Sequence, residues 1–265
     1  MSGHFTQTVV CDFEYEIADG DLPNVLCMVC YVLDVNLQHV RTIKLWRGEF
    51  GATPFDIRST LFVAYTAWAE LTCFKVLNWK FPTHVFDCHT AYLAASNILL
   101  PYNPDETRKR ERKRLPDACR AYGIEGWELI DKEEISKAIG EGRWDEYGKD
   151  AVLTYCEEDV KKTYQLLIAQ LRGSNRFPRT SVEHVLHWSN YSAKAVSLIQ
   201  ARGMPIDMYL WNLVEENTKR SSPHWCGSLI RAKVPIIRST RLKVNGPTSA
   251  SNTGCRILAS SLGRA

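Results

Sequence analysis

Over the first ninety residues, apolar positions either alternate with polar ones or gather in short blocks, which is the pattern of strands. Thr8–Glu16 and Val25–Val35 are rich in β-branched and apolar residues, with Asp19-Gly20-Asp21-Leu22-Pro23 as a turn between them. Val40–Trp46 reads as a third strand after a short polar turn at Asn36–His39. Leu61–Tyr65 reads as a short buried strand running into a helix, Ala67–Trp79. His84–Cys88 reads as a fifth strand feeding another helix.

From about Leu115 the period lengthens. Leu115–Tyr122, Lys132–Ile139 and above all Gly148–Leu171 place apolar residues three and four apart, as helices do. Ser181–Gly203 is a further helix, and Met204-Pro205-Ile206-Asp207 opens another that reaches about Arg220. A three-stranded meander followed by alternating strands and helices implies a mixed five-stranded sheet with helices packed on it, an α/β fold.

After Pro223 the periodicity fades. From Trp225 onward there are seven Lys/Arg and no Asp or Glu, so the net charge of +3 divides into a basic tail and a body of net −4. Two readings of the tail are open: a disordered basic arm, or a frameshifted stretch of former coding sequence. An acidic body does not by itself announce a nucleic-acid partner.

The apolar runs are far short of a membrane span, and Met1–Thr8 has no signal-peptide pattern, so a cytoplasmic protein without membrane association is expected. The nine cysteines lie scattered, several in apolar runs, as reduced buried thiols do. Cys27 and Cys30 form C-x-x-C but read as strand residues, because no second Cys/His pair at zinc spacing follows.

Three places carry candidate chemistry. In Val9-Val10-Cys11-Asp12-Phe13-Glu14, side chains two apart on a strand share a face, so Asp12 and Glu14 project together. Adjacent carboxylates repel, and a cation relieves this, although most such pairs are simply solvated. Glu70 falls near the start of the helix after the fourth strand, where it is either a dipole partner or a ligand. On the long helix, Val152, Leu153, Cys156, Val160, Leu167 and Leu171 form the apolar stripe. Asp159 falls on the edge of that stripe, one turn after Tyr155, whereas Glu158 lies almost opposite and is expected to face water.

With these motifs in order, the chain resembles the DEDDy-type 3′→5′ exonucleases, above all the proofreading domain of DNA polymerase I-family enzymes. Asp12-x-Glu14 resembles the first motif, Ala64–Glu70 the second and Tyr155-x-x-x-Asp159 the third, while Phe86-Asp87-Cys88 is similar to an acidic segment that closes the fifth strand. The family ordinarily carries Asn and Asp in the second motif where this chain has Thr66 and Glu70. The resemblance covers roughly residues 6–172. Gln200–Asp207, within Tyr191–Asn217, is similar to the start of the polymerase region in phage-like members.

The resemblance implies an RNase H-like exonuclease domain over residues 1–175, the helical start of a polymerase-type domain over 176–222, and a tail over 223–265. The polymerase palm and fingers are absent from this sequence, so the resemblance is to a polymerase cut short. It further implies two Mg²⁺ or Mn²⁺ ions, with Asp12 bridging them, Glu14 and Asp159 helping to hold the first, and Glu70 acting on the second, through water if not directly. Tyr155 would orient the attacking water; a phenol of ordinary pKa near 10 suits that better than proton removal.

Expected partners are single-stranded or frayed DNA 3′ ends and other replication proteins. Phe13, Tyr15 and Trp68 stand either to stack on bases or to fill the core. The run Arg108–Arg114 is either a phosphate contact or a solvated face. His184-x-x-His187 reads as helix surface. Two other functions stay open: an RNA-trimming exonuclease, and a catalytically weak DNA-binding remnant of a polymerase.

Overall fold

The computed structural model describes residues 5–16, 22–99, 114–126, 132–175, 177–203 and 207–221. Much of the Asp19–Pro23 turn, Arg108–Lys113 of the basic run, Met204–Ile206 and the whole tail from Ser222 lie outside the described residues.

The described chain is α/β, with a five-stranded mixed sheet flanked by helices. The strands are β1 (Gln7–Glu16), β2 (Asn24–Leu33), β3 (His39–Trp46), β4 (Thr60–Ala64) and β5 (His84–Asp87). The helices are α1 (Ala67–Val76), α2 (Cys88–Leu99), α3 (Leu115–Ala121), α4 (Lys132–Gly140), α5 (Lys149–Arg172), α6 (Val182–Arg202) and α7 (Met208–Ser221). The sheet order is β3-β2-β1-β4-β5; β1, β2 and β3 run antiparallel, while β4 and β5 run parallel to β1. No helix among the described residues is long and apolar enough to cross a membrane.

Every residue of β4 is buried, as expected for a parallel strand covered on both faces. The outer strands are handled differently. β3 keeps Arg41 and Lys44 on a partly exposed edge, which discourages pairing with another chain. β5 is covered by α6: Asn190 Oδ1 accepts the Val85 N–H at 2.7 Å and Ser189 Oγ accepts that of Asp87 at 3.3 Å.

Alternation along β1 and β2 divides the core between the two faces of the sheet. Val10, Cys27 and Val29 pack with α5, while Val9, Cys11, Phe13, Met28 and Cys30 pack with α1. Cys27 and Cys30 therefore point to opposite faces and cannot share one ion.

Several boundaries differ from the sequence expectation. The first helix stops at Val76 rather than Trp79, because Asn78 takes φ 56° and turns the chain so that Trp79 N–H donates to Phe74 O at 2.8 Å. The second strand ends at Leu33, where Asp34 Oδ1 accepts the N–H groups of Asn36 and Gln38. Cys88 opens α2 instead of closing the fifth strand.

The larger correction concerns Glu158, whose side chain is 13% exposed and paired with Lys161 at 3.2 Å. A single apolar stripe assumes one covered side. α5 is covered on more than one, by β1 and β2 and also by α3 and α4. Lys162, one turn from Glu158, is buried and donates to Glu125 O at 2.7 Å.

α5 ends at Gly173, where φ is 77° and a Cβ would lie 2.9 Å from Arg179 N. Only glycine suits that close, left-handed turn.

Candidate metal centre

β1 outruns its parallel neighbour. Its last pairing with β4 is Val10↔Val63, while its pairing with β2 continues through Asp12↔Val29 and Glu14↔Cys27. Asp12 and Glu14 thus stand where the sheet has an open side, just beyond the end of β4. Phe13, between them, points the other way into the apolar core.

Glu70 reaches this place from α1. The entry of α1 is fixed by Asp87 at the end of β5, whose Oδ2 accepts the Ala67 N–H at 2.9 Å and whose Oδ1 accepts the Thr90 N–H at 2.7 Å. One carboxylate therefore holds the starts of both α1 and α2, a task that Thr66 does not perform with its own side chain. Burial outweighs these hydrogen bonds and pushes Asp87 up to about 6. The acidic segment singled out by resemblance thus serves as a double cap.

α5 supplies Tyr155, Cys156 and Asp159. Asp12, Glu14, Tyr15, Glu70 and Asp159 line one cavity of about 420 Å³, together with Ser136, Ile139 and Gly140 of α4. Tyr155 is 6% exposed, hydrogen-bonds to Ser136, and feels the charges of Glu14 and Asp159. The five residues proposed from sequence come together from β1, α1 and α5.

The electrostatics are those of crowded acids. Burial, followed by the charges of Asp12 and Asp159, raises Glu14 well above the ordinary 4.5. Burial and then Asp12 raise Glu70, partly offset by the Phe13 backbone N–H. Asp12 is the strongest charge acting on both glutamates. Burial and the same carboxylates raise Tyr155 as well, so its phenol keeps its proton. Glu70 Oε2 is buried and has no hydrogen-bond partner among the described residues. A buried acceptor without a donor is costly, and a cation in the cavity would satisfy it. Four hard carboxylates in one cavity fit Mg²⁺ or Mn²⁺.

Two contributors escaped the sequence reading. Ser136 carries no signal in the sequence, because the periodicity of its helix marks only an amphipathic stretch. Cys156 looked like one more apolar residue of the stripe, yet its Sγ lies 3.4 Å from Asp12 O and 3.6 Å from Asp12 Oδ2. Burial, and then the neighbouring Cys27 thiol, push its pKa well up, so it is a thiol donor toward Asp12. Of the aromatics, Phe13 is core, packed edge-on to Phe74 at 5.8 Å, whereas Tyr15 borders the cavity.

The described residues form an α/β protein with a cavity lined by four carboxylates at the end of its mixed sheet. No protein-family model and no curated protein sequence matches the chain.

Proposed function

We propose that the chain is a divalent-metal-dependent 3′→5′ exonuclease acting on the 3′ ends of single-stranded or frayed DNA. One observation carries this reading: Asp12, Glu14, Glu70 and Asp159, from three separate elements, converge on one cavity beside a protonated phenol. The strand order, with β4 and β5 parallel to β1 and the acids at its open end, supports an RNase H-like assignment.

In this reading Asp12, Glu14, Glu70 and Asp159 would hold the Mg²⁺ or Mn²⁺ ions. When bound, such ions supply an activated water and neutralise charge on the leaving oxygen. Tyr155, hydrogen-bonded to Ser136, would donate a hydrogen bond that orients the water; in the metal-free protein, burial and the neighbouring carboxylates keep its phenol protonated. The cavity has the size of a small-ligand pocket, suited to one terminal nucleotide rather than a duplex. Ser136, Ile139 and Gly140 of α4 also line the cavity.

The test is degradation of 5′-labelled single-stranded DNA, beside an RNA of the same sequence, with Mg²⁺ or Mn²⁺. The expected result is a DNA ladder shortening from the 3′ end, abolished by EDTA and in Asp12→Ala/Glu14→Ala. A ladder on RNA alone would replace the substrate, and no ladder from folded protein would refute the proposal.

A further inference from the structure

Cys156 has no part in the hydrolysis described above, yet it touches its central carboxylate. Its Sγ, an oxygen of Asp12 and an oxygen of Glu14 all lie within 4.8 Å of one another. The Sγ to Asp12 Oδ2 separation is 3.6 Å. Zinc bonds of about 2.3 Å to sulfur and about 2.1 Å to oxygen, meeting at a tetrahedral angle, span roughly that same edge. Soft thiolate ligands select ions of this class, whereas Mg²⁺ ignores them. A second, independent feature of the cavity also points to a cation: the buried Glu70 Oε2, on a residue 6% exposed, has no donor among the described residues.

We propose that Asp12, Glu14 and Cys156 form a capture site for a thiophilic divalent cation of the Zn²⁺/Cd²⁺ class, which displaces the hard-ion arrangement and silences the centre. The silencing rests on the exonuclease reading; the capture does not. On binding, the Cys156 S–H bond breaks, a sulfur–metal bond forms, and the proton leaves to bulk solvent, with no change of oxidation state. Cys27, whose thiol hydrogen-bonds to that of Cys156, then serves as an outer-sphere donor to the sulfur.

The probe is Cd²⁺ alone, titrated into the metal-free full chain while the ultraviolet thiolate-to-cadmium charge-transfer band is followed. Cys226 and Cys255 are first replaced by Ser, because they lie outside the described residues; the seven other cysteines are buried and reduced. The expected result is a band saturating at one Cd²⁺ per chain. Cys156→Ser and, independently, Cys156→Ala remove the band and lower Cd²⁺ affinity at least about tenfold more than Mn²⁺ affinity. Asp12→Ala/Glu14→Ala weakens the band's apparent affinity at least about tenfold.

Absence of the band in the parent, its persistence in either folded Cys156 variant, or its indifference to Asp12 and Glu14 would overturn the proposal. Should both Cys156 variants fail to fold, the parent titration and the Asp12/Glu14 variant still decide it. The two readings fail separately. A DNA ladder without the band removes the capture site and leaves the nuclease; the band without a ladder keeps the site and removes the nuclease.

Discussion

The two faces of β1 are built from the same ten residues and do opposite things. One face carries Val9, Cys11 and Phe13 into an aromatic cluster with Phe62, Phe74 and Trp79, where Phe74 meets Phe62 at 5.3 Å and Trp79 at 5.2 Å. The other starts with Val10 in the core and then presents Asp12 and Glu14 to Glu70 and Asp159. The first face gains free energy on folding by burying apolar surface. The second gathers like charges and a buried acceptor without a donor, which opposes folding unless something positive fills the cavity. The strand thus separates an apolar anchor from a cluster of acids at a spacing of one residue.

That contrast can be broken at either face. The largest expected effect is on the aromatic side. Phe74→Ala, at a fully buried position, should cost about 3–5 kcal/mol, a large part of the roughly 5–15 kcal/mol that holds a domain folded. Urea denaturation would read this, and a loss below about 1 kcal/mol would show that the cluster is not the anchor described. On the acidic side the same strand should behave in reverse. Glu14→Ala should lower the DNA-degradation rate roughly 10²–10³-fold while raising metal-free stability by about 0.5–2 kcal/mol. A variant that loses both rate and stability would erase the division between the faces.

Smaller effects sharpen the picture. If the proposed nuclease uses the phenol to orient water, Tyr155→Phe should slow DNA degradation by roughly tenfold, less than the loss of a proton-transfer group. An effect as large as that of Glu14→Ala would instead assign it the proton transfer. The pH dependence follows from Asp87, whose native pKa of about 6 exceeds its ordinary 3.8. Between about pH 4 and 6 the folded state keeps a proton that the unfolded chain has released, so stability falls as pH rises through that window. Glu14 and Glu70, also raised, act with the same sign from their ordinary 4.5 upward. Metal-free melting temperature should therefore decline from pH 4 to 7. Asp87→Asn should flatten part of that decline, and an unchanged slope would show that Asp87 is ionised throughout.

The acidic face was legible in the sequence because its logic is local. Period two on a strand sets Asp12 and Glu14 side by side, and period 3.6 on a helix sets Tyr155 and Asp159 one turn apart. The strands and most helices were legible for the same reason, from Thr8–Glu16 through Gly148–Leu171. What the periods could not carry was the third dimension. The stripe alone places Glu158 in water because it cannot reveal that α3 and α4 cover a second side of α5. Cys156 passed as core because its distinction is a contact with Asp12, 144 residues away in the chain. Asp87 was noticed by resemblance, yet its work as a cap for two helices depends on β5 ending beside the start of α1. The early stop at Val76 depended on a left-handed residue, Asn78, that propensity alone does not locate.

The central claim is that the four carboxylates form a divalent-metal centre, and thermal unfolding with and without Mn²⁺ tests it most directly. The wild-type chain should gain roughly 5–10 °C in melting temperature at about a hundred times its Kd for Mn²⁺. Asp12→Ala/Glu14→Ala should start higher than metal-free wild type and gain almost nothing. An equal shift in both proteins, or none in folded wild type, would contradict the claim and leave the acidic face of β1 without its cation.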